Sequence, residues 1–165
     1  MSAKMVIQEL AELLKLHQEL NKQASLKVEA VKANDVSTLG QIIKEEARLI
    51  RAAQQADAKR VKEARAFMIE KGEGEEDVTI ASMLPLVSHD ETVVLKKLQR
   101  ALLKEVDQLK EQNEQNRELL EESLRFVNLS LDLMVPQAED VHYTQPHQKN
   151  EQTELFSRSV FDSKA

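Results

Sequence analysis

The stretch of this sequence whose residue types and spacing come nearest to a catalytic constellation is Glu139-Asp140-Val141-His142. A Glu-x-x-His pair sets a carboxylate and an imidazole one helical turn apart, the pattern with which helical bundles hold two iron or manganese ions. Such a centre needs two of these pairs and two further inward Glu residues. The chain has a single pair, placed after Pro136 where a polar tail is expected, so it reads as a chance match. The remaining histidines are no better placed for catalysis or ligation. His17 falls on an apolar stripe, His89 follows Ser88 in a helix-cap sequence and His147 lies in the tail. With no cysteine there is no thiol nucleophile, thiolate metal site or disulfide framework. Neither Gly-x-Ser-x-Gly, nor a glycine-rich phosphate loop, nor an aromatic stacking platform occurs. The expectation is a chain with no catalytic residues, no cofactor and no metal.

The elements that would carry any site must be few and long. Three Gly and three Pro among 165 residues leave little material for the turns of a many-stranded fold. The apolar fraction is 41% but only 3% is aromatic, so the core must be built from Leu, Val, Ile, Ala and Met, which suits helix packing. Acidic residues outnumber basic ones 29 to 23, and a net charge of −6 argues against a phosphate-binding surface for nucleic acid. Gln8 and Glu9 interrupt the first apolar run before a signal-peptide core can form. No stretch approaches the roughly 18 apolar residues of a membrane span, and the expected location is cytoplasmic, without membrane insertion.

Apolar residues at Ile7, Leu10, Leu14, Ala24, Val28 and Val31, widened by Leu13, Leu16 and Leu20, predict a helix over about 3–32 with more than one neighbour. Asn34 and Asp35 are good cap residues, and a second stripe from Leu39 through Ile42, Leu49, Ala56 and Phe67 predicts a helix over about 35–71. So short a link forces two long helices antiparallel. Lys71-Gly72-Glu73-Gly74 is the expected hinge, followed by a short helix at 79–84 that Pro85 limits. Ser88-His89-Asp90-Glu91 has capping-box form and opens the longest periodic run, predicting a helix over 89–134. The fold class is therefore all-α: an antiparallel long-helix hairpin packed against one very long C-terminal helix, with a bundle over 1–135 and a flexible polar tail over 136–165.

Within the last helix, Asn113 and Asn116 interrupt the apolar seam and are expected as register-setting core polar residues. Past them, Leu119, Leu120, Leu124, Phe126, Val127, Leu129, Leu131, Leu133, Met134 and Val135 decorate more than one face. Either a further helix covers them or they form an exposed patch of the kind that binds partners. The tail carries one apolar island, Leu155, Phe156, Val160 and Phe161, too short to fold alone.

The order of long helix, short link, long helix, glycine-containing hinge, very long helix and polar tail, together with Asn113-x-x-Asn116-x-x-Leu119-Leu120, resembles the FlgN family of flagellar type III export chaperones. The resemblance implies a cytoplasmic chaperone that binds C-terminal helical segments of hook-associated proteins of the FlgK and FlgL type, keeps them unassembled and delivers them to the export apparatus. On that basis Leu120, Leu124, Val127, Leu131 and Met134, with Leu155, Phe156, Val160 and Phe161 of the tail, are the expected partner-binding residues. The alternative is a structural coiled-coil adaptor or homodimeric spacer in which the same apolar excess is buried between two copies.

Overall fold

The structure is a computed structural model that describes residues 3–74 and 78–134. Among the described residues all regular structure is helical: α1 (Lys4–Lys32), α2 (Val36–Glu70), α3 (Ile80–Met83), a 3-10 turn at Leu84–Leu86, and α4 (His89–Met134). The chain divides into two compact units, Met1–Phe126 and Val127–Ala165, and α4 contributes residues to both. The expected tail over 136–165, with Glu139, His142, His147 and the Leu155, Phe156, Val160 and Phe161 island, lies outside the described residues.

Local chemistry sets the helix ends. At the end of α1, Asn34 adopts a left-handed φ of 54°, which Asn tolerates better than most residues. The Asp35 amide then reaches back to the Ala30 carbonyl at 2.9 Å and the Asn34 amide to that of Val31 at 3.1 Å, satisfying carbonyls that the helix leaves open. Asp35 at once starts α2, its carboxylate accepting from the Thr38 amide at 3.0 Å and the Thr38 hydroxyl at 2.7 Å. The end of α2 repeats the device with Gly72 at φ 79°, where the Glu73 amide donates to the Met68 carbonyl at 3.0 Å. Thr79 and Ser82 form a reciprocal capping box on α3.

Two apolar clusters hold the helices. One joins Ala3, Val6 and Leu10 to Ala64, Phe67 and Met68 of α2, with Met83 and Leu95. The other joins Leu13, Leu16, Leu20 and Ala24 of α1 to Leu49 and Ala56 of α2 and Leu109 of α4. Further along, the Lys27 ammonium lies 2.6 Å from the Glu46 carboxylate, so partners in α2 fall in number as those in α1 rise. Between α1, with its N-cap Ala3, and α4 the numbers rise together from the Ala3–Glu91 pair through Asn21–Glu105 to the region of Ala24 and Ser25 against Gln112 and Asn116. The Ala3 amide donates to Glu91 at 3.0 Å, Asn21 to the Glu105 carboxylate at 2.7 Å, Gln112 to Ser25 at 3.3 Å, and Asn116 to the Ala24 carbonyl at 3.0 Å.

Glu91 does two tasks at the start of α4. Its carboxylate accepts from the Ser88 amide at 3.1 Å and the Ser88 hydroxyl at 3.0 Å, and it also receives the amide of Ala3, the residue before α1. Those donors, the Ser88 amide first, hold its pKa below the ordinary carboxylate value. A depressed folded pKa contributes stability above the unfolded value of about 4.3, and that contribution disappears as pH falls through the folded value. Glu91→Gln is therefore expected to flatten part of the loss in melting temperature between about pH 6 and pH 3, measured by circular dichroism.

Candidate protein-binding surface

Two histidines fall among the described residues. His17 is buried, its Nδ1 lying 2.8 Å from the Leu13 carbonyl, and His89 is the exposed first residue of α4. Among the described residues no group of three His, Cys, Asp or Glu side chains could hold a metal ion. What the structure offers instead is surface on α4.

The face that α4 turns to the bundle follows a seven-residue repeat. Leu95, Leu102, Leu109 and Asn116 recur at one heptad position, and Leu98, Glu105, Gln112 and Leu119, three residues later, supply the second row. All eight are buried or half-buried. Polar side chains enter this seam at Glu105, Gln112 and Asn116. Asn21, buried on α1, donates to both the Glu105 carbonyl and its carboxylate, while Asn21 Oδ1 and Gln112 Oε1 are buried without a partner.

The expected asparagine pair is divided by this geometry. Asn116 is 4% exposed and bonds to Ala24, whereas Asn113 is exposed and lies outside the seam. Stepping four residues from Leu109 reaches Asn113; the seam steps three, to Gln112, and then four, to Asn116, because the two seam positions of a heptad are spaced alternately three and four. Asn116→Ala is expected to cost about 1–2 kcal/mol in urea unfolding and Asn113→Ala less than about 0.5 kcal/mol. Asn21 and Gln112 escaped sequence reasoning, although both stand among apolar positions at seam spacing.

Beyond Leu119 the helix changes character. The seam positions become Ser123, Phe126 and Ser130, while large apolar residues gather at Leu120, Leu124, Val127, Leu131 and Met134. These five are spaced four, three, four and three apart, a stripe on one side of a helix. Leu120 is seven residues after the exposed Asn113, so within the first unit Leu120 and Leu124 are set off from the bundle seam by roughly 60° at about 100° per residue. All five are exposed, Leu124 at 61% and Met134 at 78%. Within the first unit the reason is register. The α1–α4 pairs differ by 84 to 92 in residue number, which brings Lys32, the last residue of α1, level with the neighbourhood of Leu120.

A family model described as FlgN protein matches residues 1–151. The chain belongs to the FlgN family. That is a family of chaperones and not of enzymes, and membership implies a role in flagellar export. A protein of Bacillus subtilis (strain 168) called "Uncharacterized protein YvyG" is 33% identical over 165 residues, covering 100% of both chains. No solved structure matches. In this FlgN-family chain, no helix among the described residues is long and apolar enough to cross a membrane.

Proposed function

We propose that this chain is a cytoplasmic chaperone that captures C-terminal helical segments of hook-associated proteins of the FlgK and FlgL type, keeps them unassembled and hands them to the flagellar type III export apparatus. The observation that carries the proposal is the stripe of Leu120, Leu124, Val127, Leu131 and Met134 on α4, exposed in a member of a chaperone family. An export substrate whose amphipathic helix would otherwise self-associate can lay its apolar face there, with anchors at matching three- and four-residue spacing. In this reading α1 and α2 are an antiparallel hairpin against which the first two thirds of α4 is fixed. The polar seam at Glu105, Gln112 and Asn116 sets its register, and the Leu155, Phe156, Val160 and Phe161 island adds a second contact with the client.

The proposal is tested by calorimetric titration of a C-terminal fragment of a hook-associated protein into the intact chain and into a chain ending at Val135. The intact chain is expected to bind saturably. The shortened chain is expected to bind more weakly, because the island is gone while the α4 stripe remains. Absence of binding by the intact chain would remove the proposal, and equal binding by both chains would remove the tail from it.

A further inference from the structure

A second apolar surface lies on the hairpin itself, away from α4. At its turn end α1 and α2 enclose a groove of 490 Å³ floored by Leu26, Ala30, Ala33 and Ile42. The groove is separate from the bundle seam. On α1 the hydrogen bonds to α4 involve Asn21, Ala24 and Ser25, and at about 100° per residue Leu26, Ala30 and Ala33 are turned at least roughly 80° from each of them. Leu26 is 45% exposed and Ala33 is exposed, while Ala30 and Ile42 are each 5% exposed. The α1 wall runs from Gln23 to Ala33, about 15 Å, which accommodates about ten residues of a docked helix.

The rim gives the occupant its chemistry. Glu29, Asp35 and Glu45 stand around the apolar floor, and no Lys, Arg or His is among the lining residues. Glu29 pairs with Lys32 through one solvent-exposed contact at 3.8 Å, which is weak, so that carboxylate can exchange partners at little cost. Glu45 is held by two hydrogen bonds from the Arg48 guanidinium, and a docked cation would share it with Arg48. Hydrogen bonds from the Thr38 hydroxyl and amide keep the Asp35 carboxyl below its ordinary pKa and therefore charged. The N-terminus of α2, which alone would favour an anion, is already capped by Asp35.

We infer that this groove is a docking site for a basic amphipathic helix of a partner protein, with aliphatic side chains on Leu26, Ala30, Ala33 and Ile42 and flanking Lys or Arg against Glu29, Asp35 and Glu45. It is a site distinct from the α4 stripe and independent of what that stripe binds. An apolar floor within a rim of one charge sign selects such a helix over an acidic one, since the floor supplies burial and the rim supplies sign.

The probe is a capped synthetic peptide of about 14 residues, Leu at three- and four-residue spacing and Lys elsewhere, compared with its Leu/Glu counterpart. Binding to the full chain is followed by methyl and amide NMR shifts. The Leu/Lys peptide is expected to shift Leu26, Ala30, Ala33 and Ile42, and to weaken as salt rises from roughly 50 to 500 mM. Leu26→Lys and the Glu29→Lys/Glu45→Lys pair are expected to weaken those groove shifts at least about tenfold while the circular dichroism stays unchanged. Shifts confined to α4, equal groove binding of the Leu/Glu peptide, no groove shifts, or variants that bind normally would each overturn the inference. So would a concentration-dependent doubling of mass that Leu26→Lys abolishes, since a second copy would then fill the groove.

Discussion

A Leu124→Glu/Leu131→Glu double variant is expected to bind a C-terminal fragment of a hook-associated protein at least about 100-fold more weakly than the parent chain, a loss of about 2.7 kcal/mol. Both leucines are exposed, 61% and 53%, so in the free protein a carboxylate at either site stays hydrated. In the complex the same carboxylates would be pressed against an apolar client face, where desolvating an unpaired charge costs several kcal/mol. The free variant should therefore unfold at nearly the same urea concentration as the parent, within about 0.5 kcal/mol. Calorimetric titration alongside urea unfolding separates the two effects. A variant that loses binding only because it has lost stability would mean that these leucines support the fold.

Leu95→Ala is expected to do the reverse, costing about 3 kcal/mol of stability by creating a cavity. Leu95 is 0% exposed and belongs to the cluster in which Ala3, Val6 and Leu10 meet Phe67, Met68 and Met83. That cluster gathers residues from the start of the chain, the end of α2 and α3, so a gap in it cannot be absorbed by one neighbour moving. The urea midpoint should fall while client binding, measured well below the new midpoint, stays close to that of the parent. A cost below about 1 kcal/mol would show that the cluster closes around the gap.

The contrast between these two leucines marks how far the sequence can be read. Helical class follows from scarce glycine and proline and from apolar spacing, and both helix-ending devices use residue types visible in the sequence, Asn34-Asp35 and Gly72. The side chains that choose between faces were harder to read. Leu109 can be followed by Gln112 or Asn113, and only the packing of α1 against α4 separates the buried row from the exposed one. Asn21 is one polar residue among many on α1 until Glu105 is placed opposite it. The groove over Leu26, Ala30 and Ile42 was equally hidden, because it joins two stripes from different helices that are unremarkable apart. By contrast, the apolar excess after Leu119 was plain in the sequence, and the open question was whether anything covered it; in the structure the large apolar side chains from Leu120 to Met134 are exposed.

The most direct test of the account is the solution mass by light scattering of the intact chain, alone and mixed with a C-terminal fragment of a hook-associated protein. The account predicts a new species of defined mass containing both, which the Leu124→Glu/Leu131→Glu variant fails to form. A tight dimer that ignores the fragment, and that the double variant splits into monomers, would contradict it and make the α4 stripe a seam between two copies.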